Sequence, residues 1–374
     1  MKITRSIALQ VREELEPGKI VVIYGPRQVG KTTLVKQILA DFTDNKSLYI
    51  NADQLKYRHL LQSQDLPTLA GIVKNCRLVV IDEAQRVENI GINLKIMADN
   101  FKKTKFIVTG SASLDLANKI NEPLTGRKKT FILYPLSVNE LNRYFGNFET
   151  KTQLERWLIY GGYPEIVLQT NFETRQNLLA EIIGNYLYRD LLDLGEIKKP
   201  GKLVDLLRLL AFQIGGEAVI SELASNLAID RVTVEKYLDL LEKSFVIFKA
   251  DGFSRNLRKE IAKTSRYYFW DNGIRNSLIE NFNPLHIRND KGQLWENFVV
   301  VERRKMHQEQ KIRTNNYFWR TYDQKEIDLV EESGGQISGF EIKWDGDIRP
   351  ATKKEFLRAY PSAKLKCITA ANFF

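Results

Sequence analysis

The chain has 374 residues, 43% of them hydrophobic, which is enough apolar material for two or three packed domains. Its 56 basic and 46 acidic residues give a net charge of +10, which points to an anionic partner, nucleic acid first, although a generic basic surface gives the same balance. Two isolated cysteines, Cys76 and Cys367, exclude a disulfide framework and a cysteine-rich metal site and make a reduced, cytoplasmic setting the expectation.

The longest apolar runs, such as residues 78–81, are too short to cross a membrane. Residues 1–6 lack the apolar core and cleavage site of a signal peptide, so no membrane partner is expected.

Up to residue 136, short β-branched runs alternate with helical stretches. Runs at 20–24, 48–51, 78–82, 106–110 and 130–133 predict buried parallel strands of an α/β sheet. Between the first strand and a helical stretch lies GPRQVGKTT: Gly25, Pro26, Arg27, Gln28, Val29, Gly30, Lys31, Thr32 and Thr33. Gly25, Gly30, Lys31 and Thr32 fill the fixed places of G-x-x-x-x-G-K-[ST], and the strand–loop–helix setting is the one the motif needs. In such a loop backbone amides and a helix N-terminus cradle phosphate oxygens. Lys31 would reach the β- and γ-phosphates of ATP, and the Thr32 hydroxyl would ligate Mg2+.

Hydrolysis needs further groups. The run RLVVIDE ends in Asp82, placed for the magnesium shell, and Glu83, placed to polarise the attacking water. Thr109 and Ser111 close the next strand, where a polar side chain can meet the γ-phosphate or the water. Arg127, in LTGRKK, suits charge on the transferring phosphoryl group, in its own subunit or a neighbouring one, and reads equally as a surface arginine.

GPRQVGKTT, VVIDEAQ, FIVTGSAS, the GR of LTGRKK with LYPLS, and YGGYPE recur here in order. With these the chain resembles the bacterial and archaeal AAA+-type P-loop ATPases that carry a C-terminal domain of formerly unknown function. The resemblance covers nearly the whole chain. It implies that Lys31 and Thr32 bind nucleotide and magnesium, that Asp82 and Glu83 form the Walker B pair, and that Ser111 is a sensor-like residue. It also implies a homo-oligomer, a ring, with a hexamer among the forms.

Residues 137–200 read as helices, with Leu154, Trp157 and Leu158 on one face and Leu178, Leu179, Ile182 and Ile183 on another: a helical lid or linker interrupted at GGYP. Residues 201–285 follow the order of a winged helix: an apolar-striped helix from 202 to 212, a short helix opening at 221, a third helix capped by Asp230, then strands at 245–248 and 266–269 around a basic loop. Arg231, Thr233 and Lys236 would face DNA from the third helix. Arg255, Arg258, Lys259, Lys263 and Arg266 would give the wing phosphate contacts. Glu235 and Asp239 on the same helix fit a protein-contact module instead.

In residues 286–374 a helix begins around Glu296, and strands at 326–330 and 339–344 flank the turn Ser333, Gly334, Gly335. Glu341 and Lys343 share a strand face, and an antiparallel partner can set Asp328 opposite them. Glu296, Asp328 and Glu341 would be hard oxygen ligands for Mg2+, with Lys343 orienting a water. The segment resembles the PD-(D/E)XK nuclease superfamily, a restriction-endonuclease-like α/β fold. Two amphipathic strands with a solvated charged face give the same short pattern.

The expected protein is therefore an ATPase using ATP and Mg2+ that acts on duplex or branched DNA. The alternative is a signalling or scaffold ATPase whose C-terminal domains bind proteins. A nuclease gated by ATP is a third reading.

Overall fold

The computed structural model describes residues 3–42, 46–111, 124–184, 197, 199–255 and 264–374, with the Ser111 side chain excepted. The chain divides into two compact units. Unit 1 is Met1–Leu136 with Lys243–Phe245, and unit 2 is Ser137–Glu242 with Val246–Phe374. Among the described residues no helix is long and apolar enough to cross a membrane.

Unit 1 is built on five parallel strands, β1 (Ile20–Gly25), β2 (Ser47–Asn51), β3 (Leu78–Asp82), β4 (Lys105–Ser111) and β5 (Lys128–Ile132). Their order across the sheet is β2-β3-β4-β1-β5. The expected strands appear within two residues of the sequence reading. β1 and β3 are buried along their whole length, which is why both read as unbroken apolar runs rather than alternating ones. Alternation still sorts their side chains. Ile20, Val22 and Tyr24 join one core with the helix Ile90–Asn100, and Val21 and Ile23 join the other with the helices Ile7–Glu13 and Lys31–Leu39. Because the strands are parallel, Gly25, Asn51, Asp82 and Ser111 all finish at one edge of the sheet. Ligands of open α/β sheets bind outside that edge.

Unit 2 opens with the helix Val138–Phe145, whose first turn is closed by a reciprocal capping box between Ser137 and Glu140. Four more helices follow to Ile183. Next come the helix Pro200–Phe212, β6 (Glu217–Ala218), the helices Ile220–Leu227 and Arg231–Lys243, and the strands β7 (Ile247–Gly252) and β8 (Ser265–Phe269). The last part holds the helix Lys291–Glu309, β9 (Asn315–Arg320), β10 (Glu326–Ser333), β11 (Gln336–Ile342), the helix Pro350–Ala359 and β12 (Lys364–Ile368).

One seven-stranded sheet, β12-β11-β10-β9-β7-β8-β6, runs through both C-terminal segments of the sequence reading. The join is a short parallel pairing of β7 with β9, Asp251 opposite Tyr317 and Gly252 opposite Phe318. Trp157, Trp270, Trp295 and Trp319 are buried, and Trp344 is half-buried.

The YGGYPE motif has a structural reason. Gly161 has φ +73°, and a Cβ there would lie 2.0 Å from Asp271 Oδ1. The same carboxylate accepts hydrogen bonds from the Gly162 amide at 2.7 Å and the Ile274 amide at 3.2 Å. Only a residue without a side chain lets the buried carboxylate close on this turn.

Candidate functional site

The predicted phosphate loop bridges β1 and the helix Lys31–Leu39 at the C-terminal edge of the unit 1 sheet. Its backbone takes conformations that other sequences resist. Gly25 has φ +152°, with Leu133 O only 2.2 Å from where a Cβ would be, and Gln28 and Gly30 are also left-handed. Lys31 is buried and donates from Nζ to Gly25 O at 2.8 Å and Pro26 O at 2.7 Å, so its ammonium lies inside the loop curve.

Asp82 ends β3 almost fully buried and collects three hydroxyls. Thr32 Oγ1 donates to its Oδ2 at 2.7 Å, Tyr49 Oη donates to the same oxygen at 2.6 Å, and Thr109 Oγ1 donates to its Oδ1. Burial first, then the bond to Asp82, pushes the Tyr49 hydroxyl well above its usual range, so it stays a neutral donor. Glu83 has φ +57°, a left-handed conformation that non-glycine residues hold only when their surroundings impose it. Its amide donates to Thr109 Oγ1 at 3.4 Å, and its carboxylate accepts from Gln85 Nε2 at 2.5 Å. Hydroxyl and carboxylate oxygens beside an amide-lined loop are the donor set that suits Mg2+.

One contributor left no signal in the sequence. Arg5 is 7% exposed, and its guanidinium donates to Val29 O in the loop at 2.6 Å and to Tyr134 O beyond β5 at 2.5 Å. An isolated arginine before a helix matches no motif, so its role emerges only once the chain folds.

One predicted residue of this site stands apart from it. The structure places Arg127 at the opposite edge of the sheet. Its carbonyl accepts from Ile20 N at the start of β1, and its Nε donates to Asp99 at 2.8 Å. Five residues of strand separate Ile20 from Gly25, about 16 Å at 3.3 Å per residue. Arg127 therefore does not reach the loop of its own chain. The Ser111 side chain lies outside the described residues; its backbone pairs with Gly25.

Residues matched to domain families frame this geometry. Residues 17–142 match the family model of an AAA domain. Residues 151–285 match a domain of unknown function (DUF8612), and residues 291–372 match another (DUF4143). The chain is 28% identical over 345 residues to an uncharacterized protein of Mycobacterium tuberculosis, covering 91% of this chain and 73% of that one. Uncharacterized proteins of Methanocaldococcus jannaschii and Haemophilus influenzae are each 26% identical, over 88% and 70% of this chain and 76% and 69% of theirs. Among solved structures, the Pif1 helicase of Candida albicans aligns at 12% identity and TM-score 0.27 over 48% of this chain and 54% of that one, too distant for any inference. The AAA match together with the loop and Asp82 supports nucleotide hydrolysis in unit 1.

In unit 2 the predicted acidic residues do converge. The β10–β11 register, Leu329 opposite Phe340, continues to set Asp328 opposite Glu341, and Asp328 Oδ2 accepts from Ile342 N at 2.7 Å. Lys343 Nζ lies 2.8 Å from Glu341 Oε1, on the shared face that strand alternation predicts. Glu296 projects from the helix Lys291–Glu309, and its Oε1 accepts from Tyr268 Oη at 2.8 Å. Burial, followed by the charges of Glu296 and Glu341, raises Asp328 far above the usual carboxylate range, and burial raises Glu296 as well.

The group inside this cluster is an arginine. Arg266, expected on the wing, is 4% exposed. Its Nη2 donates to Glu326 at 2.7 Å, and its Nη1 lies 3.6 Å from Glu296 Oε1 and 3.9 Å from Asp328 Oδ1. Among the described residues no three His, Cys, Asp or Glu side chains are disposed to hold a metal ion. The Mg2+ site expected from Glu296, Asp328 and Glu341 therefore does not fit this arrangement, because buried Arg266 already faces Glu296 and Asp328, and half-buried Lys343 engages one oxygen of Glu341.

The other proposed nucleic-acid contacts divide. Arg231 and Lys236 are exposed on the helix Arg231–Lys243. Thr233 caps that helix with Asp230, through its amide at 2.8 Å and its hydroxyl at 2.7 Å. Arg255 is exposed and donates to Glu332 at 2.8 Å. Arg258, Lys259 and Lys263 lie outside the described residues.

Proposed function

We propose that the protein binds and hydrolyses Mg-ATP in unit 1 and acts on, or answers to, DNA held by unit 2. The observation that carries the hydrolytic part is the Thr32–Asp82–Thr109 hydrogen-bonded set behind the GPRQVGKTT loop. Bound Mg2+ would supply charge neutralisation of the β- and γ-phosphates, with Thr32 and Asp82 holding it. Lys31 would exchange the Gly25 and Pro26 carbonyls for phosphate oxygens. Glu83 would orient and deprotonate the water. Thr109, tied to both Asp82 and the Glu83 amide, would fix their relative positions. Arg127 serves only if a neighbouring subunit's loop meets it, as in the ring that the family resemblance implies.

For unit 2, we read residues 200–269 as a winged helix: helix, short strand, two helices and the β7–β8 hairpin, in that order. Exposed Arg231 and Lys236 on the third helix, with the net charge of +10, support DNA as the partner. The test is ATP turnover with and without linear, forked and four-way DNA. The reading expects stimulation that Lys31→Ala abolishes, and DNA affinity that falls steeply with salt. A second reading, a scaffold ATPase with unit 2 binding protein, draws on Val232, 73% exposed on that helix beside Glu235 and Asp239. Salt-independent behaviour and no stimulation would favour it.

A further inference from the structure

We propose that Arg266 is the resident cation of the unit 2 acidic cluster, holding the position a divalent metal would need, so that the cluster is metal-free in the working protein.

Three observations converge. First, the placement is fixed by the fold. Arg266 sits within β8, opposite Glu217 of β6 on one side and Ala250 of β7 on the other. Its guanidinium lies over the Phe318 ring, 4.5 Å from the centroid. The strand pairing on both edges fixes its Cα, and the side chain is buried.

Second, oxygens of two of the carboxylates are already engaged. Asp328 turns Oδ2 to the Ile342 amide and Oδ1 to Arg266, and Glu296 Oε1 faces both Tyr268 and Arg266. A metal on Glu296 Oε1 or Asp328 Oδ1 would share that oxygen with a permanently charged guanidinium.

Third, one acceptor is left over. Glu341 Oε2 is buried and has no hydrogen-bond partner. An unpaired buried acceptor is costly. With Arg266 in place it is a single free oxygen; removing the guanidinium would free Asp328 Oδ1 and Glu296 Oε1 to join it around a cation.

The cluster thus resembles a metal site in its carboxylates while its cation is part of the chain. Removing the arginine should convert it into a binding site. The experiment measures Mn2+ binding by nucleotide-free, full-length protein, by calorimetry and by electron paramagnetic resonance. It also follows the thermal transition with and without Mn2+. Four proteins are compared: wild type, Asp328→Asn, Arg266→Met and Arg266→Met/Asp328→Asn.

Wild type and Asp328→Asn are expected to give the same Mn2+ isotherm. Arg266→Met is expected to unfold at a lower temperature, to gain Mn2+ affinity by about tenfold or more, and to recover stability with Mn2+. Asp328→Asn in that background should remove the gain. A wild-type Mn2+ site that Asp328→Asn abolishes would overturn the proposal. So would an Arg266→Met protein that gains no site or is as stable as wild type without metal. If Arg266→Met does not fold, the wild type and Asp328→Asn isotherms alone decide between the two outcomes.

Discussion

Replacing Arg5 by methionine tests whether the phosphate loop is held from outside its own motif. The guanidinium is buried and donates to Val29 O and Tyr134 O. Methionine roughly preserves the length and apolar stem and removes both donors. Each carbonyl left unsatisfied costs about 1–3 kcal/mol, so unit 1 should lose about 2–6 kcal/mol. At about 2–4 °C per kcal/mol for a domain of this size, its transition should fall by about 4–24 °C. Val29 belongs to the loop, so ATP affinity should fall as well, and a loss of 1.4 kcal/mol there reads as about tenfold. Arg5→Lys, which keeps one donor group, should fall between. Calorimetry of the full chain and titration with a fluorescent ATP analogue give the two readouts. An Arg5→Met protein with unchanged transition and unchanged affinity would refute the role assigned to this residue.

Gly161→Ala should destabilise unit 2, since left-handed strain of about 1–3 kcal/mol adds to the loss of the Gly162–Asp271 hydrogen bond; an unshifted denaturation midpoint would count against that turn. Burial, only partly offset by hydrogen bonds from Gly162, Ile274 and Gly273 and by the charge of Lys305, pushes Asp271 up to about 6. A carboxyl whose folded value is raised binds its proton more tightly in the folded state, so unit 2 should lose about 3 kcal/mol as pH rises from about 4 to about 6. Unfolding curves for Asp271→Asn across that window should be flatter than wild type by this amount. Arg127→Ala should leave ATP affinity of the monomer unchanged, because the residue sits at the far edge of the sheet; a large loss in a dilute, monomeric sample would contradict its placement.

Much of unit 1 is legible in the sequence because its determinants are local. Parallel strands buried on both faces write themselves as runs such as LVVID, and the loop needs glycine where the backbone is left-handed or crowded. Asp82 and Thr32 are fifty residues apart, yet each is placed by its own strand or helix end, so their meeting follows from the two motifs. Asp328 and Glu341 are legible for a similar reason: the Gly334–Gly335 turn fixes their register. Arg266 is not. Five basic residues around a loop read as a wing, and nothing local distinguishes the one whose strand turns it inward. That outcome depends on β7 pairing with β9, a contact across more than sixty residues of sequence. Arg127 escapes for the same reason, since its distance from the loop is set by which end of β1 it joins.

The central claim is that Asp82 and Glu83 make the phosphate loop a hydrolytic site. The direct measurement is ATP binding and steady-state phosphate release by wild type and Glu83→Gln with Mg2+. The account predicts that Glu83→Gln binds ATP as wild type does and turns it over about 10²–10⁴-fold more slowly. Equal turnover by the two proteins, or no ATP binding by either, would contradict it.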